Sequence, residues 1–191
     1  MNKLIILDNG HGDNTPGKRS PVWPNGSQLF EYEFNRDIVK RIKSKLDSYN
    51  IDSVVLVPEL DDISLAERCK RANKIYDNNK ECVLLSIHAN AGGGTGWECY
   101  TSVGNTSADM YASILYTEAE KYFPGWKIRT DYSDGDPDKE SQFYILKHTK
   151  CPAVLTENFF MDTKKDCDYI LSEDGRENIA NMHVSAILKF K

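Results

Sequence analysis

The chain of 191 residues lacks several features that would mark a membrane or disordered protein. No apolar run approaches the roughly 18 residues that a membrane-spanning helix needs, so we expect no membrane span. No stretch is low in complexity, and the hydrophobic content of 40% is sufficient for a core. There is no internal repeat, and no linker rich in Pro, Gly and Ser separates two halves. We therefore expect one domain covering residues 1–191.

Excess positive charge and closely spaced cysteines are also missing. The formal net charge is −5, which argues against a protein that binds nucleic acid through general charge attraction. No two of the five cysteines have the short separation of a zinc knuckle or a redox motif. We expect these cysteines to be free thiols in a reducing compartment. They are Cys69, Cys82, Cys99, Cys151 and Cys167.

Common targeting and catalytic motifs are absent as well. The apolar segment before Asp8 is too short for a signal peptide, so we expect none. The chain contains no His-Glu-x-x-His pattern, which is typical of many metalloproteases. It also lacks the Gly-x-Ser-x-Gly turn of serine hydrolases and the Gly-x-x-x-x-Gly-Lys loop that binds phosphates. The chemistry has to be sought in other residues.

Short apolar runs alternate with amphipathic segments along the chain. The runs predict strands at 4–7, 53–57, 82–87, 97–101 and 153–156, and the segments predict helices near residues 30, 64, 107 and 163 and at the carboxyl terminus. Residues 125–140, rich in Asp, Gly and Pro, are predicted as a long loop. This alternation predicts an α/β fold, a single-domain three-layer sandwich with a mostly parallel central sheet and helices on both faces.

Four polar residues fall at one edge of this predicted sheet. His11 follows the first strand, His88 the third and Glu157 the fifth, and Glu31 opens the helix after the first strand. Ligands of such sheets bind beyond the carboxyl ends of the strands. Two imidazoles and a carboxylate are a ligand set of catalytic zinc, which keeps one position open for water, and a second glutamate can act as proton shuttle. The sequence therefore predicts a zinc-dependent hydrolase.

Each of these four residues also has an ordinary structural explanation. His11 lies between two glycines and is compatible with a surface turn, and His88 is compatible with a hydrogen-bonded core histidine. Glu31 is favoured in the first turn of a helix by the helix dipole alone. Glu157 is compatible with a strand-end ion pair; if it is instead buried, we expect its pKa to rise, which suits a general base.

Five other polar residues receive weaker assignments. Lys18 and Arg19 are candidates for binding a substrate carboxylate, although a solvated basic turn explains them equally well. Asn90, just after the third strand, is a further candidate for substrate binding. His148 lies in a polar stretch and is expected to be solvated, whereas His183 lies near the apolar face of the last helix and is expected to be packed.

Four ordered motifs resemble those of the zinc-dependent N-acetylmuramoyl-L-alanine amidases of bacterial cell-wall turnover and phage lysis. The resemblance runs nearly from end to end of the chain. It departs from the family at Asn9, where a proline is usual, and in the unusual stretch 17–24, and residues 1–191 contain no cell-wall-binding repeat. The matching segments are Gly10-His11-Gly12, Glu31 with Asn35, Ser86-Ile87-His88-Ala89-Asn90, and Pro152-Ala153-Val154-Leu155-Thr156-Glu157; Gly96-Trp97-Glu98-Cys99-Tyr100 looks like a further family strand.

The resemblance implies a single catalytic amidase domain that hydrolyses the amide between N-acetylmuramic acid and L-alanine in peptidoglycan. It implies a zinc ion held by His11, Glu31 and His88, with Glu157 as catalytic acid and base. We expect a monomer that stays in the cytoplasm until it is released to the cell wall, or that is exported by another route. Two alternatives remain open: a zinc peptidase or amidase acting on another amide bond, and a non-catalytic peptidoglycan-binding module.

Overall fold

A six-stranded sheet forms the centre of the protein in a computed structural model, which describes residues 3–190. The strands lie in the order β2-β1-β3-β6-β4-β5, and only the β4–β6 pair is antiparallel. This confirms the predicted α/β fold with a mostly parallel sheet. Met1, Asn2 and Lys191 of the predicted range 1–191 lie outside the described residues. The strands are β1 (Leu4–Asn9), β2 (Ser53–Val55), β3 (Cys82–Asn90), β4 (Trp97–Thr101), β5 (Lys139–Glu140) and β6 (Ala153–Phe160).

Helices cover both faces of the sheet because its central strands are apolar on both sides. Ile5 and Leu7 of β1 join the larger core cluster, which also contains residues of α1, α3, α5 and α6. Ile6 faces the other way, into a smaller cluster with residues of α2 and α4. The layers are therefore helix, sheet and helix, as predicted. The helices are α1 (Glu31–Ser48), α2 (Leu65–Asn78), α3 (Asp109–Tyr122), α4 (Tyr144–His148), α5 (Lys164–Leu171) and α6 (Glu173–Ile187).

The two helices nearest the candidate site begin where the sequence indicates. Helix α1 starts at Glu31, and its apolar stripe is fully buried at Phe34 and Ile38. The backbone N–H of Glu67 donates to the Ser64 side chain at 3.3 Å, which caps α2. None of the helices within residues 3–190 is both long enough and apolar enough to cross a membrane.

The predicted loop at 125–140 is wrong in part. Ile128 forms a bridge with Trp97, and Lys139–Glu140 is the edge strand β5, which pairs with β4. These pairings use backbone hydrogen bonds, such as Trp97 N to Lys127 O and Arg129 N to Trp97 O, both 2.9 Å. Because an edge strand buries little, it needs no apolar run, and the sequence pattern does not reveal it.

Two strands extend further than the sequence predicts. Strand β3 continues past Ile87 to Asn90, and β6 continues past Thr156 to Phe160. His88 and Glu157 are direct neighbours in the β3–β6 ladder, and a bulge follows them. The polar side chains that suggested strand ends lie within the strands, because backbone pairing does not depend on side-chain polarity.

The histidines and cysteines outside the site are placed as expected. His148 is exposed and stacks on Tyr144, with ring centroids 3.9 Å apart. His183 is buried; its Nδ1 donates to Ile179 O at 2.8 Å, and the Thr156 hydroxyl donates to its Nε2 at 3.0 Å. Burial lowers the pKa of His183 to about 4. All five cysteines, which fall within the described residues, are buried and free.

The low pKa of His183 gives a prediction for acid stability. The unfolded chain takes up this proton near pH 6.5, whereas the folded protein does so only near pH 4. The stability of the folded state that depends on neutral His183 is therefore lost as pH falls from about 6.5 to about 4, by roughly 2–3 kcal/mol. In His183→Gln this part of the loss should be missing. Urea unfolding at pH 7 and pH 4.5, with chelator present, measures it, and equal losses in both proteins would contradict it.

Candidate active site

His11, Glu31 and His88 come together at the carboxyl edge of the sheet. Their ligand atoms all lie within 4.8 Å of one another, and the three form the one such group of potential metal ligands found among residues 3–190. Glu31 Oε1 lies 3.3 Å from His11 Nε2 and 3.1 Å from His88 Nδ1. The two imidazole rings are almost perpendicular, at 86°. Three segments far apart in the sequence thus direct two nitrogens towards one carboxylate.

Glu31 is the most enclosed of the three residues, with only 2% of its side chain exposed. Burial alone would raise the pKa of Glu31, but hydrogen bonds from His11 and His88 outweigh it and hold the pKa below its usual range. The residue is therefore an anion. Its Oε2 is buried without a hydrogen-bond partner among the described residues, and Lys18 Nζ approaches only to 4.0 Å. An unpaired buried carboxylate oxygen beside two imidazoles fits a divalent metal ion.

Neighbouring atoms lie so close to the two glycines beside His11 that neither position has room for a side chain. A Cβ at Gly10 would lie 2.0 Å from Cε1 of His88, and a Cβ at Gly12 would lie 2.0 Å from the backbone N of Asp62. His11 itself adopts a left-handed backbone conformation, with φ at 64°. That conformation is uncommon for a residue with a side chain and persists only when the surroundings hold it.

Two arginines hold the His11 backbone in place. Its carbonyl oxygen accepts hydrogen bonds from Arg36 at 2.9 Å and from Arg68 at 3.2 Å. Arg68 also donates to Asp8 Oδ1 at 2.7 Å, and Ser86 donates to Asp8 Oδ2 at 2.6 Å. Arg68 and Asp8 are each only 2% exposed. This buried network connects β1, β3 and α2 next to His11.

Sequence reasoning missed this network, although one signal was present. Asp8 ends an apolar strand, and a buried carboxylate needs a partner. Arg68 sits beside Cys69 on the predicted apolar face of α2, where a charged residue is out of place unless it is paired. The pairing itself joins residues 60 positions apart, which no local pattern specifies.

Removing Arg68 should strongly destabilise the protein. Arg68→Ala leaves Asp8 buried without its cation, and breaking a buried ion pair costs about 3–5 kcal/mol. Arg71→Ala, on the same helix, is the matched control. Its side chain is 30% exposed and pairs with Glu59 at the surface, so we expect a loss below about 1 kcal/mol. Urea unfolding of both variants measures the difference, and similar losses would refute the structural role of Arg68.

Glu157 lies beside His88 in the ladder between β3 and β6. Its Oε2 is buried without a hydrogen-bond partner among the described residues. Burial raises the pKa of Glu157 to about 8; the neighbouring His88 opposes this rise, whereas Glu31 and Glu98 add to it. A carboxyl group with a pKa near neutrality can both accept and donate a proton under physiological conditions.

A cavity of about 320 Å³ is lined by His11, His88 and Glu157, whereas Glu31 does not line it. Lys18 lies on its wall, whereas Arg19 and Asn90 are not among its lining residues. The Arg19 guanidinium instead lies over the Phe30 ring, 5.4 Å from its centroid, and Asn90 donates to Glu98 at 2.5 Å. The site residues in the lining are His11, His88 and Glu157, and its apolar wall includes Ile63, Leu65, Phe143, Tyr144 and Leu155.

The chain as a whole is similar to known proteins of one family. A sequence profile for the family described as N-acetylmuramoyl-L-alanine amidase matches residues 5–189. The N-acetylmuramoyl-L-alanine amidase CwlM of Bacillus licheniformis is 31% identical over 187 residues, which are 97% of this chain and 67% of that protein. The endolysin of Bacillus phage SPP1 is 31% identical over 192 residues, covering 98% of this chain and 65% of the endolysin. The chain thus spans about two thirds of these relatives.

A solved structure supports the fold over almost its whole length. The crystal structure of N-acetylmuramoyl-L-alanine amidase from Clostridium difficile 630 superposes with a TM-score of 0.82 at 26% sequence identity. The match covers 98% of this chain and 95% of that one. The fold described above is therefore shared with this solved amidase structure over almost its whole length.

Proposed function

This chain belongs to the N-acetylmuramoyl-L-alanine amidase family, and we propose that it is a zinc-dependent hydrolase of the amide between N-acetylmuramic acid and L-alanine in peptidoglycan. The observation that carries the proposal is the convergence of His11, Glu31 and His88 within 4.8 Å, with Glu157 next to His88 on the neighbouring strand. Two of the candidate ligands, His11 and His88, and the candidate proton-transfer group Glu157 then line the same cavity.

The three donors would hold the zinc ion. Imidazole nitrogens and a carboxylate oxygen are ligands that zinc accepts, and three protein ligands leave a position open, as catalytic sites require. When bound, zinc polarises the scissile carbonyl and lowers the pKa of a water molecule towards 7. The His88 ring packs closely against Gly10. The hydrogen bonds from Arg36 and Arg68 to the His11 carbonyl oxygen hold the His11 backbone.

Glu157 would move the protons of the reaction. It accepts a proton from the attacking water and passes it to the leaving amine, because hydrolysis of an amide needs both steps. Its buried Oε2 has no competing hydrogen-bond partner among the described residues, so the carboxyl group is free for this role. The apolar cavity wall keeps bulk water away from one side of the site, which strengthens charge interactions there.

We expect purified protein to contain about one zinc ion per chain, as in other three-ligand catalytic sites. Chelation should abolish activity because the donors alone cannot polarise the carbonyl, and added zinc should restore it. Metal analysis together with activity before chelation, after it and after zinc return provides the measurement. A fully active preparation without metal would refute zinc dependence.

The bond that is cleaved can be identified from the products. Purified peptidoglycan incubated with the protein should release new amino termini of L-alanine and no new reducing sugar ends. A zinc peptidase acting on another bond would expose a different amino-terminal residue. A non-catalytic module would bind peptidoglycan and release nothing, but the intact set of His11, Glu31, His88 and Glu157 argues against it.

The organisation of the protein completes the proposal. We propose that residues 1–191 act as one catalytic domain and as a monomer on peptidoglycan. The proposed location is the cytoplasm until release to the cell wall, or the cell surface after export by another route. One of the relatives is a phage endolysin, which is compatible with release from a cell.

A further inference from the structure

The cross-strand pair of His88 and Glu157 continues across the sheet to a third ionisable residue, Glu98. Glu157 pairs with His88 on β3 and, on its other side, with Glu98 on β4. Side chains that pair directly across a sheet point to the same face. Neighbouring strands are about 4.8 Å apart, so Glu98 lies roughly two strand spacings from His88. The face that carries the candidate chemistry therefore extends to β4.

Glu98 is buried but fully satisfied by hydrogen bonds. Its Oε2 accepts from Arg129 Nε at 2.6 Å and from Lys139 Nζ at 2.7 Å, and its Oε1 accepts from Tyr100 at 2.9 Å and from Asn90 at 2.5 Å. Burial would raise the pKa of Glu98, but the hydrogen bonds from Lys139 and Arg129 outweigh it and lower the pKa. Glu98 is therefore an anion held between two cations, Arg129 and Lys139.

Arg129 retains free hydrogen-bonding capacity. Only its Nε pairs with Glu98; Nη1 and Nη2 donate to no other described residue and are not enclosed. The guanidinium lies over the Phe160 ring, 5.1 Å from the centroid, and the side chain is 27% exposed. The ring and Glu98 thus hold the guanidinium while its two terminal nitrogens keep free donors. A fixed guanidinium fork with free nitrogens is suited to bidentate binding of a carboxylate.

We propose that Arg129, supported by Lys139, binds a carboxylate of the stem peptide of peptidoglycan. This inference rests on the proposed function. An extended peptide advances about 3.3–3.6 Å per residue, so a substrate whose scissile amide lies between His88 and Glu157 reaches Glu98 within one to three residues. The bound group would be a free carboxylate in that part of the stem, and a carboxamide at the same position would be bound more weakly.

A purely structural role for the pair is the alternative. In that case Arg129 and Lys139 serve only to neutralise Glu98. Arg129→Lys separates the two roles, because a lysine can keep an ion pair with Glu98 but cannot offer the planar fork. Arg129→Gln removes the charge while Lys139 still pairs with Glu98. Lys70→Gln is a control on α2, since the Lys70 side chain is 77% exposed and pairs with Glu67 on the same helix.

The test is calorimetric binding of two stem peptides that differ only by a carboxylate or a carboxamide at the second residue. Wild type and Lys70→Gln should bind the carboxylate form about tenfold more tightly, as expected for a charge-assisted contact. In Arg129→Gln and in Arg129→Lys the preference should fall to about twofold or less, with unchanged thermal unfolding in Arg129→Lys. Equal binding of both peptides by wild type, or an undiminished preference in Arg129→Gln, would overturn the proposal.

Kinetics with the matching muropeptides separate this inference from the proposed function. In Arg129→Lys, KM for the carboxylate substrate should rise about tenfold while kcat and the KM for the carboxamide substrate stay near wild type. A fall of kcat on both substrates with no change in their ratio would assign Arg129 a structural role instead. If wild type cleaves neither substrate but still prefers the carboxylate peptide, the proposed amidase function fails and the carboxylate site stands.

Discussion

Glu157→Gln should keep the fold and the zinc and lose about 100- to 10,000-fold of the turnover rate, the range expected for general acid–base catalysis. The amide has nearly the same shape as the carboxyl group but cannot accept the proton of the attacking water. Glu157 is well placed for such a role because it neighbours His88, lines the cavity and has a pKa raised to about 8 by burial. Kinetics on peptidoglycan fragments and metal analysis of the same preparation provide the measurement.

Glu81→Gln is the matched control for this experiment. Glu81 is exposed and pairs with Lys3 at the surface, away from the cavity. The activity and metal content of the Glu81→Gln variant should therefore equal those of wild type. If Glu157→Gln retains more than about a tenth of the wild-type rate with normal zinc, Glu157 is not the general base. A loss of zinc together with the rate would instead indicate a role in holding the metal.

Glu31→Ala should lose zinc and activity together, whereas Glu33→Ala should keep both. The two acids are neighbours in the sequence, but residues two apart on a helix point about 200° away from each other. Glu31 is 2% exposed and lies between His11 and His88. Glu33 is exposed and accepts a hydrogen bond from Tyr32 at 3.1 Å. Without Glu31 only two imidazoles remain, and they bind zinc weakly.

Metal content and activity of the two variants decide this prediction. For Glu33→Ala we also expect the free energy of unfolding to change by no more than about 0.5 kcal/mol, as for an ordinary surface site. Zinc loss in Glu33→Ala with zinc retained in Glu31→Ala would refute the assignment of Glu31. Circular dichroism on both variants separates loss of a ligand from loss of the fold.

Much of the fold could be predicted because its local patterns are strong. The spacing of Phe34, Ile38, Ile42 and Leu46 specifies both the existence of α1 and its buried side, and this places Glu31 towards the site. The apolar runs of β1, β3 and β6 specify a sheet covered on both faces. Strand β5 escaped prediction because its pairing with β4 needs only backbone groups.

The residues that surround the site were harder to predict from the sequence than the site residues themselves. Arg68 pairs with Asp8, and Arg129 with Glu98, across separations of 60 and 31 residues. No periodicity connects such positions. A charged residue in an apolar pattern signals only that some partner exists, because the cost of burying an unpaired charge is independent of where the partner lies in the chain.

By itself the sequence determined that His11, Glu31, His88 and Glu157 would meet at one edge of an α/β sheet, because parallel strands bring their carboxyl ends together and apolar runs reveal the strands. Only the tertiary structure decided how they meet. The β3–β6 register sets Glu157 beside His88, and the β4–β6 register sets Glu98 beside Glu157. Burial then moves the pKa of Glu157 up, and hydrogen bonds move that of Glu31 down. Register and burial depend on contacts between distant segments, which exist only after the chain has folded.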